Sequence, residues 1–166
     1  MQRYVFAVAV ALMVMTATTA FAADGKHQED GKYLTKDDVP TYNVKQDGTV
    51  DWYTYSGFRR YHSECHVCHG PDGLGSSIAP ALVESMKTIS YADFLYIVAA
   101  GRERITASVI SKMPGFGENK NVACFIDDLY VYLKARSDGA IPRGRPRKRD
   151  IKPATAKAYE NECFEG

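Results

Sequence analysis

The run Cys65-His66-Val67-Cys68-His69 constrains this chain more than any other stretch of its 166 residues. Two cysteines three apart on a helical turn lie on neighbouring sides of it, and His69, four residues after Cys65, returns to the Cys65 face. That spacing can hold a flat ring. Each sulfur can add across one vinyl group of a haem, and the imidazole can then reach the iron. Cys-x-x-Cys-His therefore reads as a covalent haem c attachment site, with Cys65 and Cys68 as thioether anchors and His69 as an axial ligand. Two other chemistries use a Cys-x-x-Cys pair. A thiol redox motif wants a preceding strand and a longer α/β pattern, neither of which is visible. A zinc site needs a second close Cys/His pair, and Cys124 and Cys163 are single and distant.

The remaining cysteines, Cys124 and Cys163, are candidates for a disulfide; free thiols or an intermolecular bridge are the alternatives. A covalent haem with a disulfide suits an oxidising compartment. The N-terminus agrees. A positive start at Gln2-Arg3 precedes a mostly apolar run, Tyr4 to Ala20, and the small-residue pattern Ala20-Phe21-Ala22. This is the pattern of a cleaved secretory leader over residues 1–22, with an uncleaved anchor as the alternative. The expected location is the periplasm, with no span after cleavage. The formal net charge of +1 points to no nucleic-acid partner.

From Asp24 to Asp51 the chain carries seven acids against four lysines, with Asp47-Gly48 as a turn and Pro40 as a breaker. It reads as an extended acidic arm over residues 23–50, a solvated leader rather than a binding segment. A domain over 51–138 follows. Asp51 is positioned to cap a helix running into Cys65, in which Gly57, Tyr61 and Cys65 share one stripe. A glycine there suits close approach of another helix. Gly70 to Leu82 is too rich in glycine and proline for a regular element. Ile78 and Leu82 offer apolar contact to a ring, and the Pro80 backbone is the candidate acceptor for the second ring nitrogen of His69. Ser90-Tyr91-Ala92-Asp93 opens a helix that Gly101 ends. Arg102 or Arg104 is a candidate partner for a haem propionate or an ordinary solvated arginine. In Met113-Pro114-Gly115-Phe116, the Met113 thioether is a soft donor suited to haem iron opposite histidine, held in an irregular loop. The alternative is a core methionine. His27 and His62 are the other possible ligands. Asn121 to Lys134 has the i, i+3, i+4, i+7 pattern of the last helix, with Tyr132 facing Gly57 and Tyr61. Arg143 to Lys157 carries seven basic residues and one acid, whereas residues 23–140 carry 13 basic and 16 acidic. This basic tail, residues 139–166, has no apolar periodicity, and a Cys124–Cys163 bond would tie it back.

Gly57, Tyr61 and Cys65 at spacing four, the Cys65-x-x-Cys68-His69 run, Met113-Pro114-x-Phe116, and Asp128-Leu129-Tyr130-Val131-Tyr132-Leu133-Lys134 together resemble the class I cytochromes c. The match covers roughly residues 52 to 137. The resemblance implies an all-α fold with three to five helices around one covalently bound haem, His69/Met113 coordination and a Gly57/Tyr132 helix crossing. With the two extra cysteines, Asp30-Gly31-Lys32-Tyr33 and Asp51-Trp52-Tyr53-Thr54, the chain is similar to the four-cysteine cytochromes of methanol metabolism in methylotrophic bacteria. This narrower likeness implies electron traffic near a quinoprotein alcohol dehydrogenase, and the expectation is an electron carrier, not an enzyme, and a monomer. Its expected partners are redox proteins: a quinoprotein alcohol dehydrogenase as donor, and another cytochrome or a terminal oxidase as acceptor. The competing reading is a haem-based sensor or peroxidase-like enzyme with a labile sixth ligand.

Overall fold

The structure is a computed structural model that describes residues 26–105 and 110–165. The leader expected over residues 1–22 lies outside the described residues. Among these, no helix is long and apolar enough to cross a membrane.

Two crossing helices organise the body. Helix α1, Trp52–Glu64, starts at Asp51. The Asp51 carboxylate accepts the Thr54 backbone N–H at 2.9 Å, the Thr54 hydroxyl at 2.6 Å and the Asn43 N–H at 2.8 Å. It thus caps the helix and anchors the chain that enters it. A Cys65–Gly70 segment follows, containing the single turn α2, His66–His69, and then a 3-10 turn at Pro71–Gly73. Helices α3, Leu82–Ser85, and α4, Tyr91–Ala100, come next. The Ser90 hydroxyl caps α4 by accepting the Asp93 N–H at 3.0 Å, and Gly101 ends it at φ +80°. Helices α5, Lys120–Ala123, and α6, Ile126–Ser137, complete the body.

Helix α6 crosses α1 at Gly57. A Cβ there would overlap the Asp128 carbonyl and stand 2.7 Å from the Tyr132 Cβ. Only glycine allows the backbones this close. Tyr61 and Tyr132 are both fully buried at the crossing, their ring centroids 5.5 Å apart. Phe58 meets Tyr132 edge-on at 5.7 Å. Leu129, Leu133, Val122 and Met86 fill the core around them.

The all-α expectation is corrected in two places. Strands β1, His27–Glu29, β2, Lys32–Leu34, and β3, Pro40–Thr41, form an antiparallel sheet in the order β1-β2-β3. Its first turn is Asp30-Gly31, with φ +48° and +84°, the two-residue geometry that matches strand twist. The arm is therefore a small folded sheet rather than a solvated leader, and β3 packs against α6. Strands β4, Arg102–Ile105, and β5, Ile110–Met113, pair antiparallel, and Met113 ends a strand where an irregular loop was expected to hold it. The last body helix is also divided. Phe125, at φ −132° and ψ 20°, separates α5 from α6.

The basic tail does not trail. Ile141 is buried, and helix α7, Ala154–Glu165, packs Ala156 into the protein. Before α7 the tail runs as a strap against the arm. The Val50 N–H donates to the Lys148 carbonyl at 3.1 Å, and the Asp150 N–H donates to the Val50 carbonyl at 2.9 Å. Most of the strap's cations are engaged. Arg145 donates to the Tyr55 hydroxyl at 2.6 Å, Arg149 lies 4.4 Å over the Tyr55 ring, and Lys148 pairs with Asp47 at 3.2 Å. A disulfide joins Cys124 to Cys163, with Cα atoms 5.9 Å apart.

Candidate functional site

The Cys65–His69 backbone is a helical turn. The N–H groups of Cys68 and His69 both donate to the Cys65 carbonyl, at 3.2 and 3.0 Å. One turn therefore carries both free thiols and the imidazole. Cys65 is half-buried, and burial pushes its thiol up to about 12. That is opposite to what a thiol–disulfide nucleophile requires, since such a group reacts as the thiolate.

His69 is buried, and its Nδ1 lies 2.9 Å from the Pro80 carbonyl oxygen. With Nδ1 protonated, the ring donates this bond and its orientation is set. Nε2 is then the basic nitrogen, the one able to bind a metal. The loop that brings Pro80 round is built on Ser76. Its hydroxyl donates to the Cys68 carbonyl at 2.5 Å and accepts the N–H groups of Ile78 and Ala79, while its own N–H donates to the Ala79 carbonyl. The Gly75 N–H donates to the His69 carbonyl at 2.7 Å. Gly70, at φ +72°, has no room for a side chain, because a Cβ would overlap the Gly75 carbonyl. The Tyr61 hydroxyl donates to the Gly70 carbonyl from inside the core at 2.5 Å.

Met113 ends β5 as the strand partner of Arg102 and packs against the same core as Cys65 and Leu82. Its position comes from α4. The Phe116 N–H donates to the Val98 carbonyl at 2.9 Å and the Gly117 N–H to the Ala99 carbonyl at 3.1 Å. Gly101 and Gly115 permit this approach, since a Cβ on either would stand 2.6–2.7 Å from backbone of the facing segment. Arg102 and Arg104 are exposed on β4. His27 pairs with Asp38 in the arm at 3.4 Å. His62 contacts the Phe58 carbonyl through Nδ1 at 2.9 Å, and its Nε2 lies 3.7 Å from Asp72.

These residues fit a haem. Two thiols and an oriented imidazole share one turn, and a thioether is carried by a segment packed on the same core. Large apolar side chains stand open on the flanking segments: Val67 and Ile78 are 70% and 66% exposed, and Ile105 is 69% exposed. A flat apolar ring needs such walls. Leu82 is half-buried against the core. Sequence reasoning missed Ser76, which folds the loop, and Asp72. Asp72 is buried, left-handed at φ +59°, and joined to Gly144 of the strap. The signal for Asp72 was its place between Pro71 and Gly73, read only as a helix breaker.

No family model matches the chain. Cytochrome c-553I of Paracoccus denitrificans is 52% identical over 140 residues, which is 84% of this chain and 62% of that protein. The chain thus spans less than two thirds of that relative. Cytochrome c-555 of Methylococcus capsulatus is 44% identical over 100 residues, covering 60% of this chain and 75% of the relative. Among solved structures, the c-type cytochrome XoxG from Methylobacterium extorquens AM1 is similar at a TM-score of 0.76 and 54% identity, covering 82% of this chain and 84% of that one. The helix crossing, the motif turn and these relatives agree: the chain belongs to the class I c-type cytochromes, proteins that carry covalently bound haem c.

Proposed function

We propose that this protein is a periplasmic one-electron carrier that accepts electrons from a quinoprotein methanol or alcohol dehydrogenase. In this reading Cys65 and Cys68 would hold the haem by thioethers, and His69 Nε2 and the Met113 sulfur would bind its iron. The observation that carries it is the His69 geometry: a buried imidazole whose Nδ1 is occupied by the Pro80 carbonyl, one turn from two free thiols. The bound haem supplies an iron that gains and loses one electron. The chain's own part is to keep that change small in structural cost. The Pro80 carbonyl holds the imidazole in one tautomer, the Ser76 loop keeps the Cys68 carbonyl satisfied, and the Gly101–Gly115 contact holds the methionine segment in place. With both groups bound to the iron no position would remain for a substrate, and methionine with histidine as ligands would favour a higher potential than two histidines.

The dehydrogenase partner is supported by the likeness to XoxG and by the two extra cysteines. The strap faces solvent with Arg143, whose side chain is 67% exposed, and with Arg147. Such cations steer encounter with an acidic partner in a salt-dependent way. The test mixes the oxidised haem protein with a quinoprotein methanol dehydrogenase and methanol. Reduction at one electron per chain, slowing as salt rises, is expected. No reduction by the dehydrogenase would remove it as donor, and a rate indifferent to salt would remove the steering role.

A further inference from the structure

Asp72 lies three residues after His69, so its Cα is at most about 11 Å from that of the ligand. Its carboxylate is 7% exposed and sits at a junction of three elements. One oxygen accepts the Gly144 N–H at 2.9 Å and faces the Tyr132 hydroxyl at 3.5 Å and His62 Nε2 at 3.7 Å. The other oxygen faces Arg143 Nε at 3.4 Å. The Asp72 carbonyl accepts from Arg136 Nε at 3.4 Å, and Arg136 also donates to the Ile141 carbonyl at 2.6 Å. Helix α6, the loop after the haem motif and the strap therefore meet on one residue. Asp72 holds a left-handed backbone, at φ +59°.

We propose that Asp72 is a positioning and electrostatic residue for the redox centre, and that Arg143 of the strap opposes its charge there. The inference rests on the haem assignment above. A carboxylate shielded from water stabilises the more positive, oxidised iron and lowers the reduction potential; a guanidinium does the reverse. Asp72 is buried and close in the chain to the ligand. Arg143 reaches it from the strap, which also donates the Gly144 N–H to the same carboxylate. The two residues thus act on the iron with opposite signs, and the strap belongs electrostatically to the redox site.

The test is a redox titration of the haem-loaded full chain with Asp72→Asn and with Arg143→Gln. Asparagine keeps the shape and an acceptor for the Gly144 N–H, so chiefly the charge changes. The potential rises in Asp72→Asn and falls in Arg143→Gln. A merely structural role predicts shifts of the same sign, because loosening the loop admits water in either variant. Same-sign shifts, or an unmoved potential in either variant, overturn the inference. If Asp72→Asn does not fold, Arg143→Gln decides alone, since its side chain is exposed: a fall supports the inference, and no change or a rise overturns it. Alkaline pyridine spectra of the wild type separate the two levels. Absence of covalent haem overturns the haem assignment and this inference with it. Haem present with unmoved potentials overturns the inference alone.

Discussion

The α1–α6 crossing and the strap–arm contact both bury tyrosines, with different partners. At the crossing, Tyr61 and Tyr132 are fully buried among Phe58, Leu129 and Leu133. Shape decides that contact, because Gly57 leaves no room for even one carbon. Under the strap, Tyr55 is also buried, yet its neighbours include the guanidinium groups of Arg145 and Arg149, with Lys148 on Asp47 nearby in sequence. That contact is polar at its rim, stitched by backbone hydrogen bonds at Val50 and closed by the disulfide. The body is held by packing, and the extensions add specific bonds to the few side chains they bury, Val50, Ile141 and Ala156. Packing is dense and intolerant of loss, whereas exposed ion pairs contribute little each.

The sharpest way to break this contrast is to remove a ring from the crossing. Tyr132→Ala leaves a cavity beside Tyr61 and Phe58, and an aromatic-to-alanine change in a core costs about 4 kcal/mol. Denaturant unfolding of the haem protein should show a loss of that size. A loss under about 1 kcal/mol would mean that the crossing is not the keystone.

The extensions should yield less. Cys124 and Cys163 are 39 residues apart, and the chain-entropy relation gives about 4 kcal/mol as a ceiling for the bond. The strap keeps its other contacts when the disulfide is removed, so we expect about 3 kcal/mol for the double serine variant. Proteolysis should then cut the Arg143–Lys157 segment before the body. Simultaneous cutting of both would show that body and extension unfold as one unit.

A third effect comes from pH, and it sets a carboxylate of the body against one of the arm. Burial pushes Asp128 up from 3.8 to about 7, opposed by a hydrogen bond from Ser56 and by the Lys32 charge. Between about pH 4 and pH 7 the unfolded chain ionises this group while the folded chain keeps it protonated. Stability therefore falls as pH rises through that window and levels off above it. Asp128→Asn should flatten the slope in unfolding measured at steps of pH. Asp47 has the opposite sign. Hydrogen bonds from Thr49, with Lys148 beside it, hold it at about 2, so its small contribution is present above pH 4 and is lost as pH falls through about 2.

The same contrast explains what could be read from sequence. Gly57, Tyr61 and Cys65 are spaced by the helix period, and so are Leu129, Tyr132 and Leu133, so the two facing stripes followed from periodicity and their crossing from the family resemblance. The Ser90 cap and the Gly101 stop are local signals that act within one turn. The Pro80 position followed from the chemistry of a ligating histidine, and the structure shows its carbonyl 2.9 Å from His69 Nδ1. The extensions carry no periodicity because each stitch joins residues far apart. Val50 meets Lys148, Gly31 leaves space for Pro153, and Asp72 meets Gly144. The Asp30-Gly31 pair was a legible hairpin signal that the surrounding charge obscured. The β4–β5 ladder had a weaker one, since its paired residues include charged side chains exposed on β4.

The most direct test of the account is the absorption spectrum of the oxidised protein, followed at the weak long-wavelength band that arises from methionine sulfur bound to ferric haem. The account predicts a covalent haem c spectrum with that band in the wild type, and loss of the band in Met113→Ala with the covalent haem retained. A haem spectrum without the band, joined by ready binding of cyanide or carbon monoxide, would contradict it and favour a sensor or peroxidase-like role. A band that survives Met113→Ala would place the sulfur ligand elsewhere.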